Sequence, residues 1–376
     1  MTTVSVTLAV EQLRRRVPGG IGTYTRGLLK GLAELPVAER PRLSLAASRP
    51  PERPDPLAAY GYPVTASVLT GPLLTRAWDL GLFPVGRGSE VLHSVSLAAP
   101  PPARGTRLVV TVHDVAWRTM PEAFPARGRR WHEANLRRAA RRAAAFVVPS
   151  RATALALLAA QVGIGEERIF VVAEGADHLA EPDGPGARAV LERLGVDGPY
   201  LLTVSTLEPR KNIGRLIEAY TAARPRLREP WPLVVVGPSG GGTAPVPGRA
   251  LPEGVAFAGA VEGAALAALY AGARCFAYVP IVEGFGLPVV EAMAAGTPVV
   301  SSPVPSSEGA SLEVEPTDVA AIAAGLVAAC DDEATRADLV EKGRARAASL
   351  HWRDTARGHL AVWERVASER TAEGRR

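Results

Sequence analysis

Short apolar runs rich in β-branched residues alternate along this chain with stretches whose apolar positions recur at helical spacing. Residues 4–8, 107–112 and 145–148 are such runs, each followed by a loop, as strands buried in a parallel sheet are. Between them, 23–35 and 131–144 place apolar residues on one side and charges on the other, which predicts helices. From 9 to 106 the pattern leaves a long gap without a strand. The polar, turn-rich stretch 173–186 has no periodicity and predicts a linker. Alternation then restarts, with strands over 200–204, 233–236, 255–257, 275–278 and 298–301 and helices over 213–223, 264–271 and 288–295. A helical, amphipathic tail over 318–370 has Trp352 and Trp363 as anchors. The pattern is α/β: two doubly wound domains, 1–180 and 187–350, and a final segment, 351–376, that packs back on the first. Such sheets bind ligands at the carboxyl ends of their strands, here in a cleft between the domains.

Composition supports this and narrows the partners. With 376 residues, 47% hydrophobic and 22% charged, the chain can bury two cores and is not disordered. The net charge is +5, but only Lys30, Lys211 and Lys342 are lysines, so the cations are almost all arginine. That skew is what GC-rich coding produces, and aromatics at 5% do not interleave a basic stripe, so nucleic acid is not expected. Cys275 and Cys330 stand alone, without metal-ligand spacing, which points to a reducing cytoplasm. Neither a signal peptide nor a membrane span is predicted. The densest basic cluster is Arg127, Arg129, Arg130, Arg137, Arg138, Arg141 and Arg142, with Trp131 among them. It reads as a solvated helix face, with attraction to anionic headgroups at the inner face of a membrane as the alternative.

Glycine patterns exclude two ligand classes. Gly20-Ile-Gly22, Gly240-Gly-Gly242 and Gly284-Phe-Gly286 each lack the third glycine of a dinucleotide fingerprint, and no P-loop is present. The stretch 282–300 carries positive chemistry instead. A strand ending near Tyr278 enters a glycine-containing loop, Pro288 suits a first helical turn, and Gly296 and Pro298 close the helix. Backbone N–H groups of Gly286 and Leu287, aided by the helix dipole, predict an anion site. Glu283 precedes that site and Glu291 follows it on the helix. Carboxylates there are poor phosphate ligands but good acceptors for sugar hydroxyls.

Glu283 and Glu291, within the run Glu283-Gly-Phe-Gly-Leu-Pro-Val-Val-Glu291-Ala-Met-Ala-Ala-Gly-Thr-Pro, resemble the signature of retaining GT-B glycosyltransferases of family 4, the glycosyl transferases group 1. Gly19-Gly-Ile-Gly22 with Tyr24, His113-Asp114, Pro149-Ser150, Leu207-Glu-Pro-Arg-Lys-Asn212 and Trp352 are similar to further motifs of that family. The resemblance runs almost throughout the second half and only in islands in the first. It implies an acceptor-binding domain, then a nucleotide-sugar donor domain, both Rossmann-like.

Residue by residue, it implies that Glu291 holds the ribose hydroxyls and Glu283 the donor sugar, and that Lys211 with Arg210 binds the diphosphate. Gly20 and Gly22 would approach the diphosphate from the first domain, with Ser205, Gly284, Phe285, Gly286 and Leu287 completing the donor site and His113 beside the transferred sugar. Ser205-Thr206-Leu207 replaces the family's G-R-L turn, so Arg210 supplies the second positive charge. The segment after Val300 is short, and Glu308 takes its acidic position. Asp114 reads as an N-cap or as a partner orienting His113. The other histidines receive no role.

Asp331, Asp332 and Glu333 begin a helix rather than follow a strand, so no metal cofactor is expected. Lys211, Arg210 and the helix N-terminus would stabilise the leaving diphosphate instead. The implied activity is transfer of a hexose, GDP-mannose being the first donor, to a hydroxyl of a glycan, lipid-linked or small-molecule acceptor. The alternatives are a sugar-nucleotide epimerase or hydrolase on the same fold, or a non-catalytic nucleotide- or glycan-binding protein.

Overall fold

The computed structural model describes residues 3–15, 17–51, 54–238 and 251–373, with side chains to 369. The glycine run at 240–242 lies outside them. Two compact units are present, Met1–Gly175 with His351–Arg376, and Ala176–Leu350. In the first, the elements are β1 (Ser5–Ala9), α1 (Gly19–Glu34), β2 (Arg42–Ala47), β3 (Val64–Ala66), α2 (Gly71–Asp79), β4 (Val91–Ser94), β5 (Arg107–Thr111), α3 (Ala116–Thr119), α4 (Ala126–Arg142), β6 (Ala143–Val148), α5 (Arg151–Ala159) and β7 (Ile169–Val171). The second holds α6 (Gly184–Arg193), β8 (Leu201–Val204), α7 (Ile213–Ala223), β9 (Leu233–Val236), β10 (Val255–Gly259), α8 (Gly263–Gly272), β11 (Cys275–Tyr278), α9 (Leu287–Ala294), β12 (Val299–Ser301), β13 (Leu312–Glu313), α10 (Val319–Asp331) and α11 (Glu333–Ala348). The last helix, α12 (Trp352–Glu373), belongs to the first unit.

Both sheets are parallel and share one winding. The first runs β3-β2-β1-β4-β5-β6-β7 and the second β10-β9-β8-β11-β12-β13. Each reverses direction beside its first strand, between β1 and β4 and between β8 and β11, and that is where a doubly wound sheet opens a ligand crevice. Strands β9 and β11 are buried at every position, and β8 at all but its last, as strands covered by helices on both faces are. Helix α7 buries Ile213, Leu216, Ile217, Tyr220 and Ala223 at i, i+3, i+4, i+7 and i+10, the stripe its sequence shows. These side chains join Leu201, Val235, Ala277 and Val300 in one core. Leu92, Val110, Leu136, Phe146 and Leu157 anchor the other.

Three strands occupy the stretch expected to lack them. Strand β2 is Arg-Leu-Ser-Leu-Ala-Ala, with little β-branching, β3 is an exposed three-residue edge, and β4 buries His93 among apolar residues. Helix α1 begins at Gly19, four residues before the expected start at 23, and takes in the Gly19–Gly22 motif, with Gly19 at φ +61°. Gly22 is required by packing, since a Cβ there would overlap the Pro18 ring, whereas Gly20 faces open space. Helix α4 starts at Ala126 and yields to β6 at Ala143, earlier at both ends than the periodicity indicates. Trp352 and Trp363 of α12 are fully buried. A Cβ at Gly27 would enter the Trp352 ring, and one at Gly31 would strike the Trp352 carbonyl oxygen, so these glycines let α12 lie against α1.

Candidate active site

In the unit Ala176–Leu350, β8 and β11 flank the switch point and deliver the charged residues. After β8 the chain passes Ser205, makes a turn over Pro209–Lys211, and reaches Asn212 in the left-handed region at φ +59°. Asn212 fixes that turn: its Nδ2 donates to the carbonyl oxygens of Val279, at 3.0 Å, and Pro316, at 2.7 Å. The backbone N–H of Ile281 donates to the Arg210 carbonyl oxygen at 2.9 Å, tying the two loops together.

Lys211, Arg210 and Glu283 converge there. Lys211 Nζ donates to Glu283 and, at 2.6 Å, to the Tyr278 hydroxyl, which itself donates to Glu283 at 2.7 Å. Arg210 lies 3.7 Å from the same carboxylate and also pairs with Glu208 at 2.9 Å. Burial opposes the charge on Glu283, but Lys211 and Arg210 outweigh it and hold its pKa at about 2. Burial pulls Lys211 below its ordinary value, partly offset by Glu283. Two cations therefore meet two carboxylates here: Lys211 and Arg210 converge on Glu283, and Arg210 also pairs with Glu208. Ser205 Oγ is buried beside this loop with no hydrogen-bond partner among the described residues, a polar atom of the kind a ligand satisfies.

Gly286 sits at φ +102°, and a Cβ there would meet Ser306 Oγ at 2.9 Å, so the turn into α9 requires glycine. Ser306 Oγ donates to the Gly286 carbonyl oxygen at 2.9 Å. Phe285 and Leu287 are buried on either side, after Gly284. Inside α9, Glu291 is buried with both oxygens engaged, by the Tyr270 hydroxyl at 2.7 Å and by His178 Nε2 at 2.8 Å. Burial opposes its ionisation, but these hydrogen bonds prevail and lower its pKa.

In the other unit, His113 follows β5. Its Nε2 lies 3.0 Å from the Val95 carbonyl oxygen and its Nδ1 3.5 Å from Glu174 Oε1. Both neighbours can only accept, so both ring nitrogens are set to donate. Burial disfavours the charged ring, yet Glu174, the Val95 carbonyl and Asp114 together raise its pKa. Asp114 itself accepts from the Ala116 N–H at 3.0 Å at the start of α3, and Glu174 is the residue that orients His113.

Behind His113 runs a buried chain of neutral groups. Trp363 Nε1 donates to His93 Nδ1 at 3.2 Å, and His93 Nε2 meets Thr111 Oγ1 at 2.8 Å. Thr111 Oγ1 lies 3.0 Å from the Tyr24 hydroxyl, which lies 2.6 Å from His359 Nε2. His359 Nδ1 ends the chain on the Thr355 carbonyl oxygen at 2.8 Å. Because Trp363 can only donate and a carbonyl can only accept, every proton in the chain points from Trp363 toward Thr355. Burial holds His93 well below its ordinary pKa and His359 at about 4.

The structure thus brings Arg210, Lys211 and Glu283 together with Ser205, and places Gly284–Leu287 and Glu291 on the adjoining loop and helix. His113, Gly20 and Gly22 lie in the first unit. Glu308 pairs with Arg346 at 2.9 Å. Asp332 N-caps α11 through Ala334 and Thr335, and Asp331 accepts from the Arg228 N–H. Tyr270, Tyr278, His178, Glu174, His93 and His359 went without a role in the sequence reading. A buried His inside the apolar run Val-Leu-His-Ser and an acidic residue just after the β7 run were the available signals.

Comparison with known proteins places this architecture. Residues 18–178 match the model described as Glycosyltransferase Family 4, and 192–346 the model described as Glycosyl transferases group 1. O-antigen chain mannosyltransferase B of Escherichia coli is 31% identical over 89% of this chain and 92% of its own length. The D-inositol 3-phosphate glycosyltransferase of Kineococcus radiotolerans is 32% identical over 56% of this chain and 55% of its own. The crystal structure of Anabaena Alr3699/HepE in complex with UDP and glucose superposes with a TM-score of 0.68, at 17% identity over 98% of this chain and all of that one. WaaG, a glycosyltransferase involved in lipopolysaccharide biosynthesis, superposes with a TM-score of 0.63 at 16% identity, over 97% and 99%. The fold is GT-B and the protein is a glycosyltransferase. It belongs to glycosyltransferase family 4, the glycosyl transferases group 1. No helix among the described residues is long and apolar enough to cross a membrane.

Proposed function

We propose that the chain is a retaining mannosyltransferase that moves mannose from GDP-mannose to a hydroxyl of a glycan, lipid-linked or small-molecule acceptor, without a metal. The observation that carries this reading is the convergence of Lys211 and Arg210 on Glu283 at the switch point of β8 and β11, beside a Ser205 hydroxyl with no partner among the described residues. The mannosyltransferase relative, matched along nearly its whole length, supports the sugar.

In this account Lys211, Arg210 and the N-terminus of α9 take up charge as the diphosphate departs. Bringing the diphosphate in redistributes the Lys211 ion pair, freeing Glu283 to accept from the donor sugar. Glu291 accepts from the ribose hydroxyls, with Tyr270 and His178 holding its carboxylate in place. His113 faces two acceptors, the Val95 carbonyl and Glu174, so neither ring nitrogen is directed toward taking the acceptor's proton. The acceptor's proton passes to a donor phosphate oxygen on the face the leaving group vacates, and attack on that face retains configuration.

A thermal-shift panel of GDP, UDP, dTDP and ADP, followed by transfer of labelled sugar from the matching donor, tests the reading. GDP should give the largest shift, since only a ligand favouring the native state raises stability. A larger shift with another diphosphate would overturn the donor, and binding without transfer to any acceptor would overturn the activity.

A further inference from the structure

One surface of the first unit plays no part in the donor site. Helices α2 and α4 lie side by side, pinned by Asp79: Trp131 Nε1 donates to its carboxylate at 2.9 Å, and Arg138 lies 3.6 Å away. Between them runs a groove of about 480 Å³ lined by Arg76, Leu80, Arg127, Arg130, Trp131 and Arg138. On α4, Arg127, Arg130, Ala134 and Arg138 follow one another at intervals of three or four residues and form a single stripe. On α2, Leu74, Ala77 and Trp78 face the core, which turns Leu73, Arg76 and Leu80 outward.

The outward side chains are unusual for a surface facing water. Leu73 and Leu80 are 59% and 63% exposed, and Leu82 and Phe83, just beyond the helix, are 52% and 45% exposed. Four large apolar side chains thus stand within about a dozen residues, beside arginines. Arg137 is neutralised by Glu133, and Arg138 by Asp79. Arg76, Arg127 and Arg130 have no carboxylate partner among the described residues. Unneutralised guanidinium groups around exposed leucines and a half-buried tryptophan match a bilayer interface: cations at headgroup depth, apolar tips below it, and an indole between.

We infer that the α2–α4 face is a docking surface for an anionic phospholipid bilayer, with Leu73, Leu80, Leu82 and Phe83 entering the acyl boundary and Arg76, Arg127 and Arg130 seated among the phosphates. The sequence shows only the arginine half of this surface, because the leucines belong to a helix more than forty residues upstream. The inference is independent of the donor reading and is read without donor or acceptor.

The test is flotation of the full chain with vesicles of equal parts phosphatidylglycerol and phosphatidylcholine, against pure phosphatidylcholine. Binding should require the anionic lipid and weaken with salt. Each arginine near the surface contributes about fivefold, so Arg127→Ala with Arg130→Ala should lower the partition coefficient about 25-fold. Leu80→Ser with Leu82→Ser should lower it about tenfold. Arg188→Ala with Arg193→Ala, which removes two exposed arginines from α6, should change nothing. Melting temperatures must match the parent in all three variants, since every side chain changed is exposed. Equal binding to both vesicles, or arginine dependence without leucine dependence, would overturn the proposal. Retention on immobilised heparin with no vesicle binding would overturn the lipid assignment and leave a general polyanion surface.

Discussion

The two units wind their sheets in the same order and place opposite electrostatics at the strand ends. In Ala176–Leu350, charge is drawn inward and shared: Lys211 and Arg210 face Glu283, and the tyrosine hydroxyls of Tyr278 and Tyr270 bridge to carboxylates. In the other unit, Trp363, His93, Thr111, Tyr24 and His359 form a neutral relay, and His113 pairs with Glu174 next to it. The difference shows what each surface can do. Under the proposed function, an incoming diphosphate would compete with Glu283 and Glu208 for Lys211 and Arg210. A neutral relay has no such freedom. It joins β4, β5, α1 and α12 by hydrogen bonds that are strong in a dry interior and costly to leave unmade.

The largest effect should come from the charged side. Lys211→Ala removes one preorganised stabiliser of the leaving group and should lower turnover by about 10²–10³. Glu283, still facing Arg210, keeps a partner, so the loss should appear in kcat more than in folding. Near-parent turnover would mean that Arg210 and the helix terminus suffice.

The neutral side should reveal itself through pH. His359 has a folded pKa of about 4 against an ordinary value near 6.5, so the unfolded chain binds more protons between those values. Stability should therefore fall as pH drops through that window, by up to roughly 3 kcal/mol. His113, with its pKa raised, has the opposite sign: its contribution is complete below its ordinary pKa and is lost as pH rises through its folded value. Hydrogen exchange of the β4 and β5 amides at pH 7 and pH 5 measures this. His359→Gln should flatten the acid-side loss, and an acid-insensitive parent would contradict the neutral relay.

These predictions also mark where the sequence was readable. The cluster around Glu283 was expected from local sequence: Glu283 and Glu291 stand eight positions apart around a glycine turn and a proline-initiated helix, and Arg210 and Lys211 lie in the loop that follows an apolar strand. The spans of α7, β9 and β11 match the expected ones because α7 buries a regular helical stripe and β9 and β11 are buried at every position. The relay was not legible, because its members come from positions 24, 93, 111, 359 and 363 and no local spacing joins them. Strand β2, rich in alanine, and β4, containing a histidine, were missed because their signal is burial rather than β-branching. Asp114 reads from sequence as an N-cap or as a partner of His113; its carboxylate accepts from the Ala116 N–H, and the fold brings Glu174 from about sixty residues downstream to pair with His113.

A smaller effect belongs to Glu291. With Tyr270 and His178 still in place, Glu291→Ala should weaken nucleoside diphosphate binding by roughly 1.5–3 kcal/mol, the scale of hydrogen bonds to a charged group. Calorimetry that returned the parent dissociation constant would remove Glu291 from the site and leave its contacts with Tyr270 and His178 as structural alone.

The central claim is that side-chain cations and a helix terminus, rather than a metal, stabilise the departing diphosphate. It is tested most directly by sugar transfer in excess EDTA, using the donor whose nucleoside diphosphate gives the largest thermal shift. The account predicts an unchanged rate in EDTA for the parent and a rate in Lys211→Ala that added magnesium does not restore. Loss of parent activity on chelation, with recovery on adding magnesium, would contradict it.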